Sequence, residues 1–329
     1  MPGLDIGTSF IVKAEESKKG VNYTEFRDAF YRLKPNSVIA AKMMEKSLSS
    51  VAHFKDSDGS FVLVGYDAIE KAVERHESAL RPMHRGIISK REPEARKVLK
   101  FIFSQLLGQG SGEKLVYTVP AQPVDQSGED FDISFHEDVI KKDLGDLGWQ
   151  AESLGEAEAI CYSELENDDY TGVAISAGSG MQNICIMSAG DSVLSFSSTK
   201  SGDYVDHMAA QSVNLPDSEV QMIKENTKFK LGDQHDSQVI TALDIYYKRL
   251  INYTVKQISH QLSQIDNIPK FSKPLPVVIA GGTSLVDGYL EEFEKALRVQ
   301  ELPFAIGEIR YANDRIHAVA RGCLIASSL

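Results

Sequence analysis

The stretch Val173-Ala174-Ile175-Ser176-Ala177-Gly178-Ser179-Gly180-Met181-Gln182-Asn183-Ile184-Cys185-Ile186-Met187 reads as two β runs joined by a turn of small and polar residues. Glycines in such a turn leave room for backbone amides to approach and cradle an anion such as phosphate. The pattern occurs again at the start of the chain, where the β run 4–12 is interrupted by Asp5-Ile6-Gly7-Thr8-Ser9, the composition of a tight hairpin. A third loop, Gly281-Gly282-Thr283-Ser284, follows the strand 277–280 and opens a helix with Val286, Leu290, Phe293 and Leu297 in register. One such loop is an ordinary turn. Three of them suggest two similar halves with a nucleotide clamped between them. Two other phosphate-binding signatures do not fit. Asn183 stands where a dinucleotide motif needs its third glycine, and 108–114 lacks a Gly-Lys-Ser/Thr ending.

Outward from these loops, the pattern predicts a small α/β insert over about 23–80, with strands at 37–41 and 60–65 and a helix over 67–77. A helix over 93–107 and a strand over 114–119, closed by Pro120, come next. The run Ser134-Phe135-His136-Glu137 fits a capping box and places a helix from there to 146, with His136 exposed in its first turn. Two helical pieces within 203–231, a long helix over 239–262 and a last helix over 315–327 complete the chain. Alternating strands and helices imply an α/β class with parallel strands.

A length of 329 residues allows about two domains, and 42% hydrophobic with 25% charged residues is a globular composition. The net charge of −12 argues against a nucleic-acid partner, because neutralising phosphates needs clustered Lys and Arg. Cys161, Cys185 and Cys323 are odd in number and set among apolar residues, as buried thiols in a reducing compartment are. No apolar run of ~18 residues or basic leader is present, and a cytoplasmic location is expected.

Asp5 to Ser9, Gly178-Ser179-Gly180 and Val278-Ile279-Ala280-Gly281-Gly282-Thr283-Ser284 resemble, in this order, the phosphate-one, phosphate-two and adenosine motifs of the actin and heat-shock-chaperone ATPase superfamily. Within it, Arg81-Pro82-Met83-His84-Arg85-Gly86-Ile87-Ile88 looks like the matching stretch of MreB-type prokaryotic actins, the magnetosome-filament branch included. Ser201-Gly202-Asp203-Tyr204-Val205-Asp206 is similar to that family's Gly-Gly-Asp-x-x-Asp turn, and Ile223-Lys224-Glu225 to its nucleoside-contacting helix. The resemblance implies an actin-like, ribonuclease H-like duplicated fold, with 1–150 plus 310–329 as one half and 151–309 as the other. It also implies bound ATP or ADP with Mg2+, weak ATPase activity coupled to polymerisation, and self-association into filaments, with accessory proteins as further partners. Gly7, Thr8, Ser9, Gly178, Ser179 and Gly180 would grip the phosphates. Gly202, Lys224, Glu225, Gly281, Gly282 and Thr283 would hold the nucleoside, and Asp5 would orient a magnesium-bound water.

Several departures from the family pattern carry expectations of their own. Ser176 replaces the aspartate that opens the second phosphate loop, so the fixed charge that orients a metal's hydration shell is missing and hydrolysis should be slow or impaired. Met181 replaces the usual threonine. Gln122, Gln126, Glu129, His136 and Glu137 are candidates for the residue that positions the attacking water, and Glu137 lies nearest the expected helix start. The short passage 230–239 predicts a reduced outer subdomain in the second half. With Met1 three residues before the first strand, direct membrane attachment is doubtful. An actin-fold adaptor that binds nucleotide without polymerising is the competing expectation.

Overall fold

A computed structural model describes residues 1–126 and 131–329. The first half opens with an antiparallel meander, β1 (Gly3–Ile6), β2 (Phe10–Ser17) and β3 (Gly20–Arg27). An outer insert follows: β4 (Phe30–Leu33), α1 (Val38–Ser47), β5 (His53–Lys55), β6 (Phe61–Val64) and α2 (Tyr66–Glu74), its strands ordered β4-β6-β5. The short hairpin β7 (Met83–His84) and β8 (Ile87–Ile88) leads to α3 (Ala95–Leu107), β9 (Lys114–Val119), α4 (Ile133–Asp146) and β10 (Gln150–Gly155). Helix α5 (Glu156–Glu164) then crosses into the second half.

There the same plan repeats. A meander of β11 (Gly172–Ala177), β12 (Gln182–Ser188) and β13 (Asp191–Ser198) comes first, then α6 (Gly202–Val213), α7 (Asp217–Asn226) and α8 (Gln238–Leu262). β14 (Leu275–Ala280), α9 (Tyr289–Leu297), β15 (Ile306–Tyr311) and α10 (Ala318–Ser327) finish the chain. The two five-stranded sheets have corresponding orders, β10-β9-β1-β2-β3 and β13-β12-β11-β14-β15. In each, the first meander strand pairs parallel with a later strand, β1 with β9 and β11 with β14. The sheets are therefore mixed, with the expected hairpins in the meanders and parallel pairing beside them: each meander needs only tight turns, whereas each parallel pair needs a helical crossover.

Side-chain size sets the layering. Along β11 every residue is buried, with Val173 and Ile175 in the large core under α6 and α8, and Ala174 on the other face with α5. Cys185 and Ala280 join Ala174 there, so the middle layer is built from small residues and α5, rich in alanine, can approach closely. Cys161, Cys185 and Cys323 are all free thiols buried in this layer. At its centre α10 lies against α5, and a Cβ on Gly322 would overlap the carbonyl of Ala159.

Three local expectations are corrected. Residues 37–41 form the start of α1, not a strand: Ser37 Oγ accepts from the Ala40 amide at 3.1 Å as an N-cap, and this outweighs the β preference of Val38 and Ile39. Helix α4 is capped by Asp132, whose carboxylate accepts from the Phe135 amide at 2.9 Å, and not by Ser134. The earlier start turns His136 inward. It is buried, its Nδ1 accepting from the Ile88 amide at 3.2 Å, where an exposed position had been expected. Between α7 and α8 the described chain passes without a strand, held to the Asp287 carbonyl by the Leu231 amide at 2.8 Å.

Candidate functional site between the two sheets

Strands β1 and β11 end side by side at a cleft, and each turns in the same way. The Gly7 amide donates to the Phe10 carbonyl and the Gly178 amide to the Met181 carbonyl, both at 3.0 Å. The two turns face each other, with Ser9 Oγ donating to Ser179 Oγ at 2.8 Å across the halves. Among the described residues, no acceptor meets the amides of Thr8, Ser9, Ser179 or Gly180. Four undirected donors in two facing turns are what an anion needs. Space is tight: a Cβ on Gly180 would overlap Thr8 Oγ1, and one on Gly86 would overlap Met181 Sδ. Gly86, at φ +78° in the β7–β8 turn, donates its amide to Thr8 Oγ1 at 3.2 Å, so this hairpin roofs the turns.

The second turn is pinned from behind. The Gly178 carbonyl accepts from Thr283 Oγ1 at 2.6 Å, from the Gly202 amide at 3.3 Å and from Ser201 Oγ. Gly281, at φ +97°, packs where a side chain would overlap Ala177, with Gly282 and Thr283 following in a 3-10 turn. Glycine in the first turn of α6 and Gly281 are thus steric requirements, whereas a Cβ on Gly282 would meet open space, and the structure brings these predicted residues together. Lys224 and Glu225 lie on α7 at the same mouth. Lys224 Nζ is paired with the buried Asp206 at 2.7 Å, while Glu225 is exposed and accepts from Gln221 Nε2 at 2.9 Å.

Beneath the turns lies an acid pair. Asp5 Oδ1 accepts from Thr118 Oγ1 at 3.2 Å, and Thr118 Oγ1 accepts from the Ile6 amide at 2.8 Å. Close to it is Glu156, at the first position of α5, whose Oε2 accepts from Asn183 Nδ2 at 2.9 Å and Ser176 Oγ at 3.2 Å. Desolvation pushes Asp5 up to about 7, against the Thr118 hydrogen bond and the charge of His317. Desolvation and the neighbouring Asp5 charge push Glu156 up to about 8, against its hydrogen bonds from Ser176 and Asn183. Two carboxyls whose charges resist each other hold a proton near neutral pH and would release it to an arriving cation. No group of three His, Cys, Asp or Glu among the described residues is arranged to hold a metal ion. A magnesium ion bound through one carboxylate, water and phosphate oxygens would fit this floor.

The candidate water-positioning residues scatter. Glu137 lies outside the cluster, on α4, where its Oε1 accepts from Ser153 Oγ at 2.5 Å on exposed β10. His136 serves the hairpin, and burial lowers it to about 4, so it is a neutral packing residue. The Gln122 carbonyl accepts from the Ser197 amide and Gln126 Nε2 donates to Thr199 Oγ1, both at the edge of the second sheet. Glu129 lies outside the described residues. Glu156 was missed: the Gly155-Glu156-Ala157-Glu158 run reads as an acidic first turn that suits a helix dipole, and only the fold shows it beside Asp5.

The family model described as Volactin matches residues 1–327. Among solved structures, the MamK double helical filament superposes with a TM-score of 0.72 at 19% identity, covering 100% of this chain and 98% of that one. MreB5 of Spiroplasma citri bound to ADP gives 0.66 at 16% identity over 98% and 94% of the two chains. The ethanolamine utilization protein EutJ from Carboxydothermus hydrogenoformans gives 0.51 at 14%, over 98% and 88%. At these identities the likeness is one of fold, and the fold is actin-like. No curated protein matches the chain in sequence.

Proposed function

The chain belongs to the Volactin family, and from that footing we propose that it is an actin-like protein that binds ATP with Mg2+ in the cleft and polymerises into filaments. The observation that carries the reading is the facing pair of turns at Ser9 and Ser179 with Asp5 and Glu156 beneath them. MamK, whose structure is described as a filament, and MreB5, described with ADP and with AMPPNP, support it through the shared fold.

In this reading the amides of Thr8, Ser9, Ser179 and Gly180 take the phosphates, and Gly7 and Gly178 shape the turns. Gly202, Gly281, Gly282 and Thr283 leave room for the nucleoside, with Lys224 and Glu225 at its edge. Asp5 is the carboxylate that would hold a metal ion through a water. The metal, when bound, neutralises phosphate charge. Glu156, held by Asn183 and Ser176, orients the attacking water and accepts its proton, a role that suits a carboxylate raised towards the working pH. Residues 1–150 with 310–329 move as one half and 151–309 as the other, and closure on nucleotide biases subunit contacts. The location is cytoplasmic. No helix among the described residues is long and apolar enough to cross a membrane.

Ser176 favours a second reading, a nucleotide-binding adaptor without turnover, because the site lacks a third carboxylate. Pelleting and light scattering with and without ATP, followed by phosphate release, separate the two. ATP-dependent assembly is expected, and no assembly under any nucleotide or salt condition would sink the filament claim.

A further inference from the structure

Arg81 lies on the strand-like segment that leaves the outer insert for the β7–β8 hairpin. Its Nη1 donates to both carboxylate oxygens of Asp203, at 3.1 and 2.9 Å, and its Nη2 donates to Gln221 Oε1 at 3.3 Å. Asp203 is in the first turn of α6 and Gln221 on α7, so this guanidinium ties the first half to the second across the mouth of the cleft.

A second carboxylate lies on Arg81's own side. Phe30 and Leu80 pair antiparallel, exchanging both backbone hydrogen bonds at 2.8 Å, which brings the segment that carries Arg81 alongside the chain just after Asp28, and Arg81 is a cation whose charge reaches Asp28. Asp28 is fully buried and neither of its carboxyl oxygens has a hydrogen-bond partner. Its amide donates to the Ser9 carbonyl at 3.0 Å, so it is anchored to the first phosphate turn. The other nearby cation, Arg27, is engaged elsewhere, its guanidinium stacked 4.7 Å over the Phe10 ring. A buried carboxyl with no partner is costly and calls for an explanation.

We propose that Arg81 is a two-position latch that holds Asp203 of the second half when the cleft is closed and passes to Asp28 of its own half when the cleft opens. The exchange explains both observations at once. In the closed form Arg81 is spent on Asp203 and Asp28 is left over; in the open form Asp28 receives the charge-assisted pair that its position lacks here. Each state leaves one carboxylate without Arg81. Asp203, half-exposed at the mouth, can be solvated when released, whereas Asp28 in the closed form must hold a proton. Opening therefore releases that proton. The charged groups that face Asp28 are Arg27 of β3 and Arg81, and around Arg27 stand Tyr66 of α2 and Glu225 of α7. The latch rests on the reading of the cleft as a site that opens and closes, but its test needs no nucleotide.

Spin labels at Glu74→Cys on α2 and Met222→Cys on α7, both exposed, read the distance between the halves in the full chain, the three native thiols being buried. Two distances are expected for the labelled parent, the longer gaining population from pH 5 to 8. Asp28→Asn should shift the ratio about tenfold towards the shorter distance and abolish that pH response, and Asp203→Asn should shift it about tenfold the other way. Other groups titrate in this range, so the difference between the parent and Asp28→Asn is what isolates Asp28. A single distance at all pH values, an Asp28→Asn variant that behaves like its parent, or an Asp203→Asn variant that stays closed would overturn the latch. Should Asp28→Asn fail to fold, Arg81→Gln decides: loss of the pH response supports the latch, and its persistence overturns it. Failure to bind ATP would leave these distances unchanged and would count against the proposed function alone.

Discussion

Asn183 Nδ2 donates to Glu156 Oε2 at 2.9 Å, so a residue of β12 fixes the carboxylate that begins α5. Ser176 Oγ holds the same oxygen from β11. A carboxylate restrained from two strands keeps one orientation, which is what a proton acceptor for an attacking water needs. Glu156→Gln keeps the shape and removes the base. Phosphate release should fall about 100-fold or more, while the affinity for a fluorescent ATP analogue, measured by titration, should change by no more than a few-fold. A variant that hydrolyses at the parent rate would remove Glu156 from the reaction.

The acid pair also makes stability depend on pH. Asp5 and Glu156 have folded values of about 7 and about 8, above their ordinary 3.8 and 4.5. Their contribution is complete below the ordinary carboxylate range and is lost as pH rises through the folded values. His136 has the opposite sign: lowered to about 4 from 6.5, it contributes above 6.5 and loses that contribution as pH falls towards 4. Two carboxyls outweigh one histidine, so these groups should lower the melting temperature of the nucleotide-free protein as pH rises from 5 to 9, shallowly on the acid limb below about 6.5, where His136 offsets part of the loss, and more steeply on the alkaline limb up to about 8. Magnesium and nucleotide should flatten the alkaline limb alone, because a cation favours the ionised pair. A scan with equal flattening on both limbs would contradict the assignment.

Ser176 is buried and touches Glu156, so Ser176→Asp brings a third carboxylate beside two that already resist ionisation. Without divalent ions the variant should melt lower, by about 1–3 kcal/mol of stability. Magnesium should restore more of that loss than it adds to the parent, and hydrolysis should rise. Unchanged hydrolysis would mean that the missing aspartate is not what limits turnover.

Helix α1 buries none of its residues, and Val38, Ile39 and Met43 are each more than 70% exposed. An apolar patch flanked by Lys42 and Lys46 on a chain of net charge −12 is suited to meeting an acidic second copy. Ile39→Asp should leave the melting transition within about 0.5 kcal/mol of the parent and raise the concentration needed for light scattering about tenfold. Assembly at the parent concentration would place the subunit contact elsewhere.

The loops and their order were legible because glycine at a strand end has few other uses, and the fold followed from them. The place of Glu156 beside Asp5 was not, since the two are remote in sequence and its own surroundings read as a helix start. The surroundings of His136 and Glu137 were hidden by a related ambiguity: Ser134 and Asp132 can both cap, and in the chain Asp132 does, with His136 buried and Glu137 facing Ser153. In α1 the β-branched pair Val38-Ile39 outweighed Ser37 in the reading but not in the chain. Each miss concerns which neighbour a side chain finds, and that neighbour is remote in sequence.

Helices α5 and α10 meet where Gly322 passes the Ala159 carbonyl, and each has come from the other's sheet, α5 from β10 and α10 from β15. With so little side chain between them, that contact is where the halves would pivot if they close as proposed. Movement would then be smallest at the layer holding Asp5 and Glu156 and would grow along the lever arm to the outer insert and α7. The acid pair would keep its spacing while the extremities swing, so that a displacement too small to notice at the floor would be magnified at the outer insert.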